Sequence, residues 1–196
     1  LIIELPKGYY DDFTFDFGWS VAGDAATGFW ERAKPSPTTN TMFDFDANSD
    51  CGDLAMVTGN ATTPNPDQND VDDGYTTLIS PLFNLEGLNN PHLNYARSFY
   101  CFHGPGDFDD TLTVMLSNGL DQVIIEEIIA PQGNPMEWEY KSFALNGLLP
   151  FTNNMQLFVR TADYPANPNI TEAAFDHWSI TNESTIGTTS LSVSQN

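Results

Sequence analysis

The chain has 196 residues, 40% of them hydrophobic and 13% aromatic, which is enough apolar material for one large core or two small ones. Its 27 Asp and Glu residues against six Lys and Arg give a formal net charge of −21, which repels phosphate backbones and disfavours nucleic acid as a partner. The apolar content excludes general disorder, and no apolar run reaches the length of a membrane span.

Short strands separated by turns are predicted along most of the chain. Phe13, Phe15 and Phe17 alternate with polar residues and indicate an opening strand, which Gly18 interrupts. Further apolar or alternating segments, bounded by Gly, Pro, Asn or Asp, are 19–22, 29–32, 54–58, 75–79, 82–85, 92–100, 111–117, 123–129, 139–144, 155–161 and 173–180. We expect an all-β fold, a two-sheet antiparallel β-sandwich (jelly roll) in a single domain.

The two ends of the chain differ from its middle. We expect residues 1–10 to form a lead-in and residues 11–180 to form the sandwich. Residues 181–196 are rich in Ser and Thr and contain no aromatic residue. We expect them to form an edge strand or, preferably, a tether to a following module.

The last predicted strand contains one acid among apolar residues. If the strand is regular, one of its faces carries Ala174, Asp176, Trp178 and Ile180. Burial of a carboxylate on such a face is costly unless another group compensates its charge. Two hypotheses fit Asp176: a bound metal ion, or backbone N–H groups at the margin of a sheet.

The acidic loops favour a hard cation. Most of the acids are Asp residues in Gly- and Asn-rich loops, where Ca²⁺ finds carboxylate and carbonyl oxygens. Asp46, Asp70 and Asp72 would converge with Asp176 if the long loops fold over the strand ends. The alternative is that these acids are simply solvated.

The order and spacing of several short motifs, over residues 11–180, resemble the MAM-like jelly-roll modules. These modules are similar to cleaved-adhesin domains and accompany secreted peptidases and surface proteins of bacteria, notably Bacteroidetes. The motifs are Asp12-Phe13-Thr14, Gly18-Trp19, Gly23-Asp24-Ala25, Trp30-Glu31-Arg32, Val57-Thr58-Gly59-Asn60, Asp70-Val71-Asp72, Thr77-Leu78-Ile79-Ser80-Pro81, Asp110-Thr111-Leu112, Ser117-Asn118-Gly119 and Ala174-Phe175-Asp176.

This resemblance implies a two-sheet sandwich, secretion, and a structural calcium ion near the meeting point of the first and last strands. By position, the acids of the family fall on Asp46 and Asp176, and recurrent family acids also match Asp24, Asp70 and Asp72. The family usually has Glu where this chain has Thr14. The resemblance therefore implies a site rebuilt from neighbours such as Asp12, or one that is weak or missing.

Catalytic patterns are weak. Glu126 and Glu127 are adjacent in a predicted strand, so their side chains point to opposite faces and cannot line one cleft. His92, His103 and His177 lack the spacing of a zinc motif. We therefore expect no enzymatic activity from the domain itself, although it is compatible with membership of a larger secreted hydrolase.

Two further pairs of residues are candidates for function. Trp138 and Tyr164 lie in Pro- and Asn-rich contexts and are the aromatic residues we expect to be exposed for ligand binding. Cys51 and Cys101 would form one disulfide in an oxidising compartment and remain ordinary thiols in a reducing one.

The sequence thus favours a secreted or cell-surface accessory or adhesion module with a structural calcium ion. Its expected partners are other modules of the same protein or a cell-surface protein or glycan. The chief alternative is a carbohydrate-binding module of a secreted polysaccharide-degrading enzyme, and a third hypothesis is a hydrolase domain.

Overall fold

The computed structural model describes residues 8–39, 41–47, 52–102, 109–129, 136–164 and 169–182. Within these ranges the secondary structure is eleven strands and one turn of 3-10 helix at Pro66–Gln68. The strands are β1 (Tyr9–Asp11), β2 (Ser20–Gly23), β3 (Trp30–Ala33), β4 (Ala55–Thr58), β5 (Gly74–Ile79), β6 (Pro91–Phe102), β7 (Thr111–Ser117), β8 (Gln122–Ile129), β9 (Glu139–Ala144), β10 (Gln156–Asp163) and β11 (Ile170–Asn182).

The strands form two antiparallel sheets. The six-stranded sheet has the order β3-β4-β11-β6-β9, with β1 also pairing with β11. The five-stranded sheet has the order β2-β5-β10-β7-β8. The predicted two-sheet sandwich is therefore confirmed. No helix in the described part of the chain has the length and apolarity needed to cross a bilayer.

The main core lies between the sheets, and both contribute fully buried side chains such as Tyr95, Leu112, Val159 and Phe175. A second, smaller cluster lies on the outer side of the six-stranded sheet. Its buried members are Met42, Phe43, Ala55, Val57, Tyr100, Met136 and Ala174. The six-stranded sheet is thus covered by loops on part of its outer face.

Strand β11 is not regular, so the predicted assignment of its residues to faces is wrong. Asp176 pairs with Ala96, but the next pair is Ser179 with Asn94, so β11 contains one additional residue. His177 lies at this bulge with a φ of 51°. The bulge has a packing reason, because Phe175 and Trp178 both belong to the inter-sheet core although they are three positions apart.

The predicted opening strand over Phe13–Phe17 is also wrong, because β1 precedes it and residues 12–19 form turns. Asp side chains cause the turns. Asp11 Oδ1 accepts a hydrogen bond from the Phe13 N–H at 2.8 Å, and Asp16 Oδ1 accepts one from the Gly18 N–H at 2.9 Å. Such local bonds compete with pairing between strands.

Residues 82–85 form no strand either. Phe83 makes a single antiparallel bridge with Met155, and both of its backbone bonds go to that residue. Asn84 Oδ1 then accepts a hydrogen bond from the Glu86 N–H at 2.7 Å, which turns the chain away.

Candidate functional site

The six acids predicted to bind calcium fall into two groups along β11. Asp176 Oδ2 accepts a hydrogen bond from the Ala47 N–H, whereas Asp70 Oδ2 accepts one from the Thr171 N–H. Thr171 and Asp176 are five residues apart, which is about 16 Å along a strand. The predicted convergence of Asp70 and Asp72 with Asp176 on a single ion is therefore not found.

Asp176 lies at a break in the strand pairing along one side of β11, which we call the gap between β4 and β1. Strand β4 pairs with β11 as far as Phe175, and β1 pairs with it only from Trp178 onwards. Asp176 is 0% exposed. Its Oδ2 accepts from the Ala47 N–H at 3.0 Å, and its Oδ1 accepts from the His177 N–H at 2.7 Å. The backbone bonds proposed by one of the two sequence hypotheses are thus formed.

Other hard oxygen donors lie where β1 ends. Asp12 Oδ1 accepts from the Thr14 N–H at 3.1 Å, and Thr14 Oγ1 is buried without a hydrogen-bond partner in the described part of the chain. Gly52 packs so closely that an added Cβ would contact this hydroxyl. Arg32 Nη1 donates to the Phe13 carbonyl at 3.0 Å.

These donors fit calcium chemistry only in part. No group of three or more His, Cys, Asp or Glu side chains in the described ranges is arranged to hold a metal ion. Asp46 lies next to Ala47 in the loop that covers Asp176. Carboxylate, hydroxyl and backbone carbonyl oxygens are all acceptable ligands of Ca²⁺, and both the Asp176 carboxylate and the Thr14 hydroxyl are buried.

Asp24 and Asp72 connect two loops of the five-stranded sheet: Asp24 follows the end of β2, and Asp72 precedes the start of β5. Asp24 Oδ1 accepts from the Tyr75 N–H at 3.1 Å, and Asp72 Oδ2 accepts from Thr27 Oγ1 at 3.0 Å. These carboxylates therefore hold residues 24–27 against residues 70–75. The predicted site residues here have an observed structural role in loop docking.

Asp110, which sequence analysis did not select, is the centre of a buried polar network. Its Oδ2 accepts from Asn169 Nδ2 and Thr171 Oγ1, both at 2.7 Å, and from Cys101 Sγ at 2.9 Å. Its Oδ1 accepts from the Tyr164 N–H at 3.2 Å. The network joins β6, β11 and the end of β10. The signal that could have indicated it is an acid directly before a cleanly alternating strand, Thr111–Ser117.

Burial raises the pKa of three neighbouring acids. Burial, reinforced by the charge of Asp72, raises the pKa of Asp70 to about 8. Burial and then the nearby Asp110 carboxylate raise the pKa of Asp163 to about 7, and burial raises the pKa of Glu172 to about 7. Asp70 Oδ1 and Asp163 Oδ1 are buried without a hydrogen-bond partner among the described residues.

Cys101 is a buried free thiol that donates to Asp110. Burial, followed by its hydrogen bond with Asp110, raises the pKa of this thiol. The possible disulfide partner, Cys51, lies outside the described residues.

The two aromatic residues predicted to bind a ligand have different surroundings. Trp138 is half-buried: its ring lies 4.8 Å from that of Phe43, and its Nε1 donates to the Phe45 carbonyl at 3.2 Å. Its exposure is therefore lower than predicted, because it covers the outer hydrophobic cluster. Tyr164 is 43% exposed and lies beside Asp110.

A cleft of about 430 Å³ lies on the outer face of the six-stranded sheet. One row of register partners crosses four strands beneath it: Tyr10 of β1, Ser179 of β11, Asn94 of β6 and Ser142 of β9. The cleft is lined by Asn94, Tyr95, Tyr140, Lys141, Ser142, His177, Ser179 and Thr181. Its floor is therefore made of amide and hydroxyl groups.

Asn94 organises this floor. Its Nδ2 donates to Thr181 Oγ1 at 3.1 Å and to Ser179 Oγ at 3.3 Å. Its Oδ1 accepts from Ser142 Oγ at 2.7 Å. Because Asn94 bonds to strands on both sides, the hydroxyls are fixed in position.

The rings of Tyr140 and His177 line one side of the cleft, and Tyr10 lies next to His177 beyond the lining. Tyr10 and Tyr140 are 50% and 51% exposed, and the ring of His177 lies edge-on between them, at 5.4 Å and 6.0 Å. His177 Nδ1 is buried and has no hydrogen-bond partner in the described part of the chain. The bulge in β11 brings His177 to this place.

The cleft has little net charge although the chain is strongly acidic. The lining contains one lysine, Lys141, whose Nζ lies 2.8 Å from Glu139 Oε2 and 3.8 Å from Glu126 Oε1. The other polar lining groups are the Asn94 amide, hydroxyls and the His177 imidazole. Sequence analysis missed this site because its residues come from three strands, and only the pairing register brings them together.

Comparisons with known proteins agree with the fold. The sequence matches no protein-family model and has no significant similarity to a curated protein. The K1 cleaved adhesin domain of Lys-gingipain from Porphyromonas gingivalis W83 has 14% identity and a TM-score of 0.54, and the match covers 91% of this chain and 99% of that domain. The K3 cleaved adhesin domain of the same protein has 12% identity and a TM-score of 0.54, over 88% of this chain and 98% of that domain.

A family 11 carbohydrate-binding module of the cellulosomal cellulase Lic26A-Cel5E of Clostridium thermocellum also matches, with 8% identity and a TM-score of 0.49, over 92% of this chain and 97% of that module. At such identities a structural match shows the fold alone. The chain therefore has a jelly-roll fold similar to that of the cleaved adhesin domains, as the sequence resemblance implied.

Proposed function

We propose that this chain is a non-catalytic binding module of a secreted or cell-surface protein, and that the outer face of its six-stranded sheet is the binding surface. The observation that carries this proposal is the cleft of little net charge, with its ordered amide and hydroxyl floor and the half-exposed ring of Tyr140. Ordered polar groups and exposed aromatic rings in one concavity are typical of ligand sites.

The acids most suited to catalysis are already engaged, which disfavours the hydrolase hypothesis. A general acid or base must reach the proton of a bound substrate. Asp110 accepts four hydrogen bonds within the protein, and Glu126 forms an ion pair with Arg97. Asp176 accepts two backbone N–H groups in a fully buried position.

An adhesive role and carbohydrate binding use the same surface in this proposal. The carbohydrate alternative no longer depends on Trp138, because that ring packs on the outer hydrophobic cluster. It is supported instead by Tyr140 and the Asn94 network, which lie in the cleft.

We further propose a structural calcium ion at the gap between β4 and β1. The support is the fully buried carboxylate of Asp176, which is bonded to the loop that carries Asp46, together with the buried Thr14 hydroxyl three residues after the end of β1. Such an ion would join the end of β1 and the covering loop to β11. Its role would be to stabilise the fold next to the cleft.

The binding proposal is tested by filling the cleft. Ser142→Trp places a large ring in the cleft from edge strand β9, and Ser20→Trp makes the same change on the exposed edge strand β2 of the other sheet. The wild-type protein and both variants are immobilised, and their binding of neutral polysaccharides and cell-surface proteins is measured. Hydrolysis of each polysaccharide or protein is measured in parallel. We expect at least one partner to be lost with Ser142→Trp and kept with Ser20→Trp. Equal binding by both variants, no binding to any partner, or turnover of a substrate would contradict the proposal.

A further inference from the structure

We propose that the outer-face cleft takes a neutral glycan chain, with sugar hydroxyls on the Asn94 network and a sugar ring against Tyr140. This inference rests on the proposed function, since it names the ligand of the same binding face. The glycan inference is narrower than the binding-module proposal. A protein partner on this face would agree with the binding-module proposal but would overturn the glycan inference.

The floor offers both kinds of hydrogen-bonding group that a sugar hydroxyl needs. Ser179 Oγ and Thr181 Oγ1 each accept from Asn94, and in the described part of the chain neither donates, so each has its O–H for a ligand. Ser142 donates to Asn94 and keeps its lone pairs. The Ser179 and Thr181 hydroxyls can thus donate to a ligand on one side of Asn94, and the Ser142 oxygen can accept on the other side. A sugar hydroxyl both donates and accepts, so it can bond to either side.

The aromatic side supplies an apolar surface next to these polar groups. The rings of Tyr10 and Tyr140 are about half exposed and are separated by the His177 ring. Aromatic rings provide large apolar contact areas with a polar edge. A pyranose has the same combination of apolar C–H faces and polar edges.

Size and charge favour a neutral chain over a protein or an anionic polymer. The volume of about 430 Å³ is within the range of small-ligand sites, roughly 300 to 1,000 Å³. A stable protein interface buries about 800 Å² on each partner around an apolar centre, whereas this floor is polar. The net charge of −21 repels anionic chains, and Lys141 is already paired with Glu139.

The test compares the intact chain with single variants by affinity electrophoresis and calorimetry. The probes are β-1,4-galactan, mixed-linkage β-glucan, xylan and galactomannan, with polygalacturonate, an α-1,4-linked polyuronate, as the anionic polymer. We expect at least one neutral polymer to bind and polygalacturonate not to bind. Tyr140→Ala should weaken binding roughly tenfold, and Tyr140→Phe should retain it. Ser179→Ala should weaken binding without removing a ring.

Tyr164→Ala is the matched control, because Tyr164 has similar exposure (43%) but lies outside the cleft. It should leave the affinity unchanged. The glycan inference is overturned if no neutral polymer binds, if polygalacturonate binds as tightly as galactan, or if Tyr164→Ala weakens binding as much as Tyr140→Ala. If a protein partner is lost with Ser142→Trp while every glycan fails, only this inference fails. If nothing binds at this face, both proposals fail.

Discussion

Arg97 of the six-stranded sheet and Glu126 of the five-stranded sheet form a two-point ion pair across the sandwich. Arg97 Nη2 lies 2.7 Å from Glu126 Oε1, and Arg97 Nε lies 3.3 Å from Glu126 Oε2. The Tyr95 hydroxyl also donates to Glu126 Oε2 at 2.8 Å. The side chain of Arg97 is 6% exposed, so the pair is a buried polar connection between the sheets.

Loss of the Glu126 charge should destabilise the protein strongly. Glu126→Gln leaves a buried guanidinium with a weaker partner, and removing one member of a buried pair costs roughly 3 kcal/mol or more. Arg97 Nη1 keeps its ion pair with Glu139 Oε1 at 2.6 Å. We therefore expect the free energy of unfolding to fall by an amount near the lower limit, roughly 3 kcal/mol. Denaturant unfolding measures the free energy of unfolding.

Glu139→Gln is the control for this prediction, because Glu139 contacts the same arginine but its side chain is 55% exposed. An exposed ion pair contributes at most about 1 kcal/mol. We expect Glu139→Gln to lower the free energy of unfolding by less than Glu126→Gln does. Equal decreases in the two variants would contradict a stabilising role for the buried pair of Arg97 and Glu126.

Stability should decrease as the pH rises from about 5 to 9 in the presence of a chelator. Asp70, Asp163 and Glu172 have pKa values of about 8, 7 and 7 in the folded protein, above the ordinary values of 3.8 for Asp and 4.5 for Glu. Between the unfolded and folded pKa values, the folded state binds more protons than the unfolded state. The free energy of unfolding must therefore fall with rising pH in this window.

Asp70→Asn removes the titrating group with the largest shift and nearly preserves its shape. The variant should show a shallower decline of the melting temperature between pH 6 and 9 than the wild type. General repulsion in so acidic a chain also lowers stability at high pH, but it acts on both proteins. A wild-type melting temperature that rises over this range would contradict the assignment.

Chelation should lower the melting temperature if calcium occupies the gap at Asp176. A ligand present at 100 times its Kd stabilises the folded state by about 2.7 kcal/mol. For a chain of this size, that corresponds to about 5 to 10 °C. Differential scanning calorimetry in calcium and then in EDTA measures the shift.

Two carboxamide variants locate the ion. Asp176→Asn should abolish the difference between calcium and EDTA, whereas Asp72→Asn, in the group about 16 Å away along β11, should retain it. A wild-type protein that melts at the same temperature in both buffers would exclude a structural calcium ion. Loss of the response in Asp72→Asn alone would move the site to the Asp70 end.

Strand content was predictable from sequence because alternation survives in most strands. Leu112, Val114 and Leu116 alternate in the sequence and are all buried in the core. Asp176 was also recognisable, as a lone acid in an apolar strand that proved to be fully buried. These features depend on local patterns, which periodicity detects.

Features that depend on pairing were not predictable in this way. The bulge at His177 changes the face of each residue after it, and no local pattern indicates an additional residue. The Phe13–Phe17 alternation was misleading, since the side chains of Asp11 and Asp16 form turns there. Phe15 and Phe17 are 67% and 57% exposed as a result.

The proposed binding surface shows the same limit. Asn94, Ser142 and Ser179 are ordinary polar residues in the sequence, and each lies in a different strand. Their alignment in one row follows from the register of β9, β6 and β11. Trp138 was the more conspicuous residue in the sequence, but its ring has a packing role on Phe43.

The most direct test of the binding face is nuclear magnetic resonance of the isotope-labelled chain during titration with neutral galactan, β-glucan or xylan oligosaccharides, or with a captured protein partner. We predict that the largest shifts fall on the side-chain amide of Asn94 and on the backbone amides of Ser142 and Ser179. Largest shifts at Trp138 or Tyr164, or on the five-stranded sheet, would contradict the account.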